Sequence, residues 1–366
     1  MNATNPRSEF ENLFQSPHWF AYNHDSKTNR LAFVKLRSRG DLTRIPFHFP
    51  ALIETSDFNA DADAFISCSG DALLKLFDSK GRPRRPTAYI FHMTLGGSTL
   101  LCRMLEALEA ATVVKEPVPL SSLVGRKTAE PAAAWREALE LITSLYSRSF
   151  SEKGLAIVKP HYWVNQIAGE VMGADPRNRG IFLYQDLRPF TVSILKKAQR
   201  VSDIVESVSK LTKQIGDLTA LSSKRFVFPA NPPWDDSKLA PHEAVAAFWL
   251  LNVALIERAN ESQRANPIRF LNSESLFADP LETLRGVLSW FGVPAAASEL
   301  EAIAKSAILQ QDAKNPGRKF EASAVRADRL ALMDQHKNEL RAAEDFVRRY
   351  CRGGEVPASW EPALDS

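Results

Sequence analysis

Five short apolar runs, at residues 88–93, 112–115, 155–159, 180–184 and 268–271, alternate along this chain with longer segments of helical periodicity. Strands joined by helical crossovers make a mainly parallel sheet covered by helices, so the alternation predicts a three-layer α/β fold. The helical segments include STLLCRMLEALE, HEAVAAFWLLNVALIERA and AAAWREALELITSLY; the last sets Trp135, Leu139, Ile142 and Tyr146 on one face. In sheets of this kind ligands collect beyond the carboxyl ends of the strands. Residues 95–99, Glu116, Lys159 and Gln185 stand at those ends and are the first site candidates.

Residues 1–80 mix short alternating pieces such as LAFVKL with turn-rich stretches such as SDFNADADAF, the pattern of a small α+β appendage. The basic, proline-punctuated KGRPRRP follows as an exposed boundary. The expected organisation is the appendage over 1–80, the α/β domain over 86–352 and a tail over 353–366. Within the domain, residues 201–238 read as a polar helix and a proline-rich loop that could wall the site.

Charge excludes some functions. Lys and Arg number 46 and Asp and Glu 43, for a net charge of +3, so no overall field calls for nucleic acid or an anionic membrane. The longest nearly apolar run, residues 244–256, is too short to span a bilayer, and the polar start MNATNPRSEFENLF lacks the apolar core of a signal peptide. Cys68, Cys102 and Cys351 are far apart, which suits reduced thiols. The expectation is a cytoplasmic protein without a metal, since neither the cysteines nor the seven histidines show ligand spacing. Its oligomeric state is left open.

The stretch AYIFHMTLGGSTLLCRML carries the chemistry. Gly96 and Gly97 let the backbone turn sharply, and Ser98 and Thr99 open a helix whose free amides and hydroxyls suit an anion. A nucleoside-triphosphate loop has a lysine after its last glycine; here that position is Ser98, and the first glycine position is His92. No aspartate stands out to hold magnesium. A sulfuryl group carries less charge than a phosphoryl group and can be handled by hydroxyls, amides and one lysine.

From GGSTLLCRML through VVKEP, IVKP and FLYQDLRPFTVSILK to IRFLNSESLFADPLETLRGVLSWFGVP, residues 87–294 resemble sulfotransferases that use 3'-phosphoadenosine-5'-phosphosulfate (PAPS). The resemblance is nearest to bacterial members of unassigned substrate. It implies a P-loop-like fold and sulfuryl transfer to a small-molecule, glycan or other hydroxyl acceptor, with PAPS as co-substrate. Gly96, Gly97, Ser98, Thr99 and Leu100 match the 5'-phosphosulfate cradle. Glu116 matches the strand-end general base, and Lys159 the lysine that stabilises the leaving bridging oxygen; a structural ion pair and a solvated strand-end lysine are their alternative readings. The 3'-phosphate site has an arginine and, eight residues later, a serine; here these are Gln185 and Ser193. Arg188 could replace the missing cation, as could Lys314, Arg318 or Lys319. Two other functions fit the same residues: a nucleotide- or partner-binding module without turnover, and a divergent P-loop phosphotransferase. Asp279, Pro280 and Glu282 read as a capped helix start.

Overall fold

A computed structural model describes residues 12–44, 47–54, 65–230, 234–235, 238–263, 266–311, 322–358, 360 and 363–364. The first elements are β1 (Trp19–Asp25), β2 (Arg30–Lys35) and β3 (Phe65–Ser69), an antiparallel sheet in that order. Five parallel strands follow: β4 (Thr87–His92), β5 (Ala111–Lys115), β6 (Leu155–Lys159), β7 (Arg179–Tyr184) and β8 (Ile268–Asn272). Their order is β5-β6-β4-β7-β8. Each lies within one residue of its expected run, because strands buried on both faces read as short continuous apolar runs.

The side-chain period of two makes the sheet the middle of three layers. On β4, Ala88 and Ile90 join one apolar cluster, while Tyr89 and Phe91 join the other. On β7, Ile181 and Leu183 side with the first pair, and Phe182 and Tyr184 with the second. The first face carries the helices Ser98–Glu106 and Pro280–Phe291. The second carries Ala132–Tyr146 and Pro241–Ser262. Each fully buried aliphatic or aromatic side chain contributes about 1.5–3 kcal/mol. The apolar run 244–256 is buried here as a core helix, and no helix among the described residues is long and apolar enough to cross a membrane. Asp279 caps the helix Pro280–Phe291 by accepting from the Glu282 amide at 3.0 Å, with Pro280 at its first position.

Strand order puts the site where it is. From β4 the chain crosses over β6 to the edge strand β5, returns through β6, then passes over β4 to β7 and β8. The sheet thus switches direction at β4, and a crevice opens beyond its carboxyl end.

The antiparallel sheet is fastened to this domain by buried polar groups. Arg148 donates to the carbonyls of Leu13, Ser16 and Trp19, and the Tyr146 hydroxyl donates to the Ala21 carbonyl at 2.7 Å. Burial lowers the Arg148 guanidinium to about 9, and the carbonyls satisfy it in place of a carboxylate. Leu31, Phe33 and Phe77 then share one apolar cluster with Tyr89 and Phe91.

Candidate active site

The turn after β4 is built under steric constraint. Gly97 sits at φ +80° as the N-cap of the helix Ser98–Glu106, and a Cβ there would lie 3.0 Å from the ring of Phe277. Leu95, at φ +66°, holds the left-handed conformation without being glycine. The first amides of the helix are not engaged by its own carbonyls. Gly97, Ser98, Thr99 and Leu100 line a cavity of about 340 Å³. Gly96 lies behind it, its α-carbon facing the Leu183 carbonyl of β7.

Glu116 and Lys159 meet across the same cavity. Lys115 and Lys159 are register partners at the ends of β5 and β6, so the next residue on β5 falls beside Lys159. The Glu116 amide donates to the Lys159 carbonyl at 2.6 Å, and the Lys159 Nζ is ion-paired with Glu116 Oε1. Glu116 also has a positive φ, +52°. Left-handed backbone in a residue with a Cβ costs on the order of 1–3 kcal/mol and collects at functional sites.

Electrostatics set the state of the pair. Burial, the largest influence on Glu116, pushes its carboxyl up; the opposing influences, led by the Lys159 ammonium, outweigh it and hold the carboxyl below the ordinary range. His92 lies 3.9 Å from the carboxylate and is pushed down to about 3, first by burial and then by Lys159. Its Nδ1 lies 3.1 Å from the Met93 carbonyl and its Nε2 3.1 Å from the Pro160 carbonyl, and a neutral ring can donate to one of the two. His161, lowered mainly by burial, packs against Tyr162 with ring centroids 4.1 Å apart and planes tilted by 37°.

The residues matched to the 3'-phosphate lie off the cavity wall. Gln185 is 1% exposed beneath Trp249, whose indole donates to the Gln185 carbonyl at 2.8 Å; its side-chain Oε1 has no hydrogen-bond partner. The Ser193 hydroxyl donates to the Pro189 carbonyl at 2.7 Å, and Arg188 turns outward to Glu344 at 3.2 Å. Lys314, Arg318 and Lys319 lie outside the described residues. The cation that reaches the cavity from this side is Arg200, in the first turn of the helix Ala198–Ile215, with Nη1 donating to the Ser193 carbonyl at 3.0 Å. That helix, which begins ahead of the segment 201–238 expected to wall the site and overlaps its first part, also holds the Tyr162 hydroxyl through Ser207 at 2.9 Å.

Sequence reasoning missed Arg200, Phe277 and two aromatic residues from the N-terminal region, Phe47 and Phe49, all lining the cavity. Arg200 closes the basic stretch LKKAQR, a signal that could have been weighed. Nothing in the local pattern of RIPFHFP marks Phe47 and Phe49, because the partner that places them is Lys115. His48 between them is fully buried; its amide donates to the Lys115 carbonyl at 2.9 Å and its Nδ1 accepts from the Lys115 amide at 3.0 Å. Burial, then Lys115, pushes His48 down to about 3, so the neutral ring keeps its proton on Nε2 and donates to the Leu42 carbonyl at 3.2 Å.

No protein-family model matches the chain, and no curated protein matches it in sequence. Among solved structures it is similar to a sulfotransferase domain from the curacin biosynthetic pathway, at 11% identity and a TM-score of 0.40 over 69% of this chain and 98% of that one. It is also similar to a sulfotransferase of Alicyclobacillus acidocaldarius, at 12% identity and a TM-score of 0.33 over 71% and 96%. A third, from Mycobacterium avium, has 12% identity and a TM-score of 0.36 over 91% and 97%. At such identity no residue's role carries over from them.

Proposed function

We propose that the protein transfers a sulfuryl group from PAPS to a hydroxyl acceptor in the cavity beyond β4. The observation that carries this reading is the Glu116–Lys159 pair at neighbouring strand ends, in one cavity with a glycine-led helix start. The fit of a phosphosulfate rests on that start: free amides, the Ser98 and Thr99 hydroxyls, and a turn at Gly97 whose positive φ and close packing on Phe277 and Leu276 leave no room for a side chain. When bound, PAPS supplies a sulfuryl group on a good leaving group.

The residues divide the remaining work. Ser98, Thr99 and the helix amides hold the 5'-phosphosulfate. Lys159 donates to the bridging oxygen, and Glu116 takes the acceptor's proton. Lys159 cannot serve the donor and stay fully paired with Glu116. Once its ammonium turns to the donor, burial governs Glu116 and raises it, so the carboxylate becomes a better base at the moment one is needed. Arg200 holds the further phosphate in place of Gln185 and Arg188.

A thermal-shift series with 3',5'-adenosine bisphosphate, adenosine 5'-phosphate, and ATP with magnesium tests the reading. The bisphosphate is expected to stabilise most. Arg200→Ala removes a charge-assisted contact, for a loss of about 10- to 100-fold in bisphosphate affinity and little for the monophosphate. Preference for ATP with magnesium would establish a phosphotransferase instead. The Glu116–Lys159 ion pair, in which base and ammonium satisfy each other, favours a second reading, a binding module without turnover; bisphosphate binding with no transfer of labelled sulfate to any acceptor would decide for it.

A further inference from the structure

The cavity has two chemically different kinds of lining. One is the glycine-led helix start and Arg200; the other, which includes residues beside the ion pair, is aromatic. Phe47 and Phe49 stack with centroids 5.6 Å apart and planes 17° apart, and the Lys159 ammonium lies 5.1 Å from the centre of the Phe47 ring. His161 and Tyr162 stand on the same cavity beyond Lys159.

Several polar atoms of this wall already have partners. The Tyr162 hydroxyl is engaged with Ser207, and the His161 Nδ1 accepts from the Trp163 amide at 3.4 Å. Glu116 and Lys159 hold each other. What remains for a ligand is mostly ring surface, with the His161 Nε2, one carboxylate and one ammonium beside it. A sugar placed here would bury several hydroxyls without partners, which disfavours it. A flat apolar ring bearing a single hydroxyl would stack on the phenyl faces and present that hydroxyl to Glu116.

Resting on the sulfuryl-transfer reading, we infer that Phe47 and Phe49 form the acceptor subsite and select a phenol or another flat apolar ring alcohol over a carbohydrate. The acceptor oxygen bonds to sulfur as the bond from sulfur to the bridging oxygen breaks. The acceptor proton passes to Glu116, and adenosine 3',5'-bisphosphate leaves with the charge on its 5'-phosphate met by Lys159. The N-terminal region thereby sets specificity through His48, whose hydrogen bonds to Lys115 hold the two rings at the end of β5.

The test uses the full chain saturated with 3',5'-adenosine bisphosphate and measures binding of 2-naphthol by its fluorescence, with methyl β-glucoside as competitor. Transfer of labelled sulfate from PAPS to each compound is measured in parallel. The expected result is naphthol binding that the glucoside does not displace, and transfer to naphthol alone. Phe47→Ala and Phe49→Ala should each weaken naphthol binding about tenfold or more, with bisphosphate affinity unchanged. Both side chains are only partly buried, so the variants are expected to fold; Phe47→Leu, which keeps apolar volume but not the ring, should lie between parent and Ala. Bisphosphate binding without naphthol binding, transfer to the glucoside in preference, or unchanged naphthol affinity in both Ala variants would overturn this subsite and leave the sulfotransferase reading standing. Failure of the bisphosphate itself to bind would overturn both.

Discussion

Two buried lysine–glutamate pairs stand one residue apart at the end of β5, and they differ in what surrounds them. Lys115 pairs with Glu106, the last residue of the helix Ser98–Glu106, away from the cavity. Glu116, the next residue, pairs with Lys159 and lines the cavity. Burial is the largest influence on both carboxylates. At Glu106 it prevails over Lys115, Arg103 and Arg39, and the carboxyl is raised; at Glu116 it is outweighed by influences led by Lys159, and the carboxyl is lowered. One pair is enclosed where nothing can exchange for either partner. The other opens on space in which a ligand can take the lysine. A lysine–glutamate pair at a strand end therefore does not announce its role; access to a third group does.

The largest expected effect separates the pairs by turnover. Glu116→Gln keeps shape and removes the base, so turnover on an accepted hydroxyl compound should fall by about 10²- to 10⁴-fold, with bisphosphate affinity near that of the parent. Glu106→Gln, where it folds, should leave the chemical step close to normal. Steady-state kinetics on both variants breaks the comparison if they lose turnover alike.

Stability should divide them the same way. Glu116→Gln removes a carboxylate whose charged form the fold favours, a loss of about 1–3 kcal/mol in denaturant unfolding. Glu106→Gln resembles the neutral carboxyl that burial favours at that position, so the loss should be smaller, under about 1 kcal/mol. Equal losses would mean that the two carboxylates are held alike.

The smallest effect is a slope with acid. Glu116 is lowered in the folded state, so its stabilisation is present above the ordinary carboxylate value of about 4.3 and is lost as pH falls through the folded value. Glu106 is raised, so its contribution is present below that ordinary value and is lost as pH rises towards the folded value. Unfolding free energy measured from about pH 3 to 7 should show opposite changes of slope in Glu116→Gln and Glu106→Gln. Changes of the same sign would contradict the assignment of either carboxylate.

Much of the fold was legible in the chain. Short β-rich runs such as AYIFH and IFLY, each followed by helical periodicity, are local signals, and local signals suffice to place strands in a parallel sheet. The glycine-led turn was legible for the same reason, since Gly97 and the hydroxyls of Ser98 and Thr99 belong to one short segment. Glu116 and Lys159 could be named as strand-end residues. Their mutual ion pair could not, because it depends on β5 and β6 being neighbours in register.

The rest of the site was decided by contacts between distant segments. Counting from Gln185 to Ser193 gives the right interval for a phosphate subsite, yet packing under Trp249 takes Gln185 off the cavity wall and the Ala198–Ile215 helix brings Arg200 onto it. Phe47 and Phe49 reach the cavity only because His48 is anchored on Lys115, 67 residues away in sequence. The sequence by itself determined the strands, the helices and the glycine-led turn, since backbone preference and apolar period act over a few residues. Tertiary structure alone decided which aromatic and cationic side chains share the cavity and which carboxylate is lowered, because proximity and burial are properties of the packed chain.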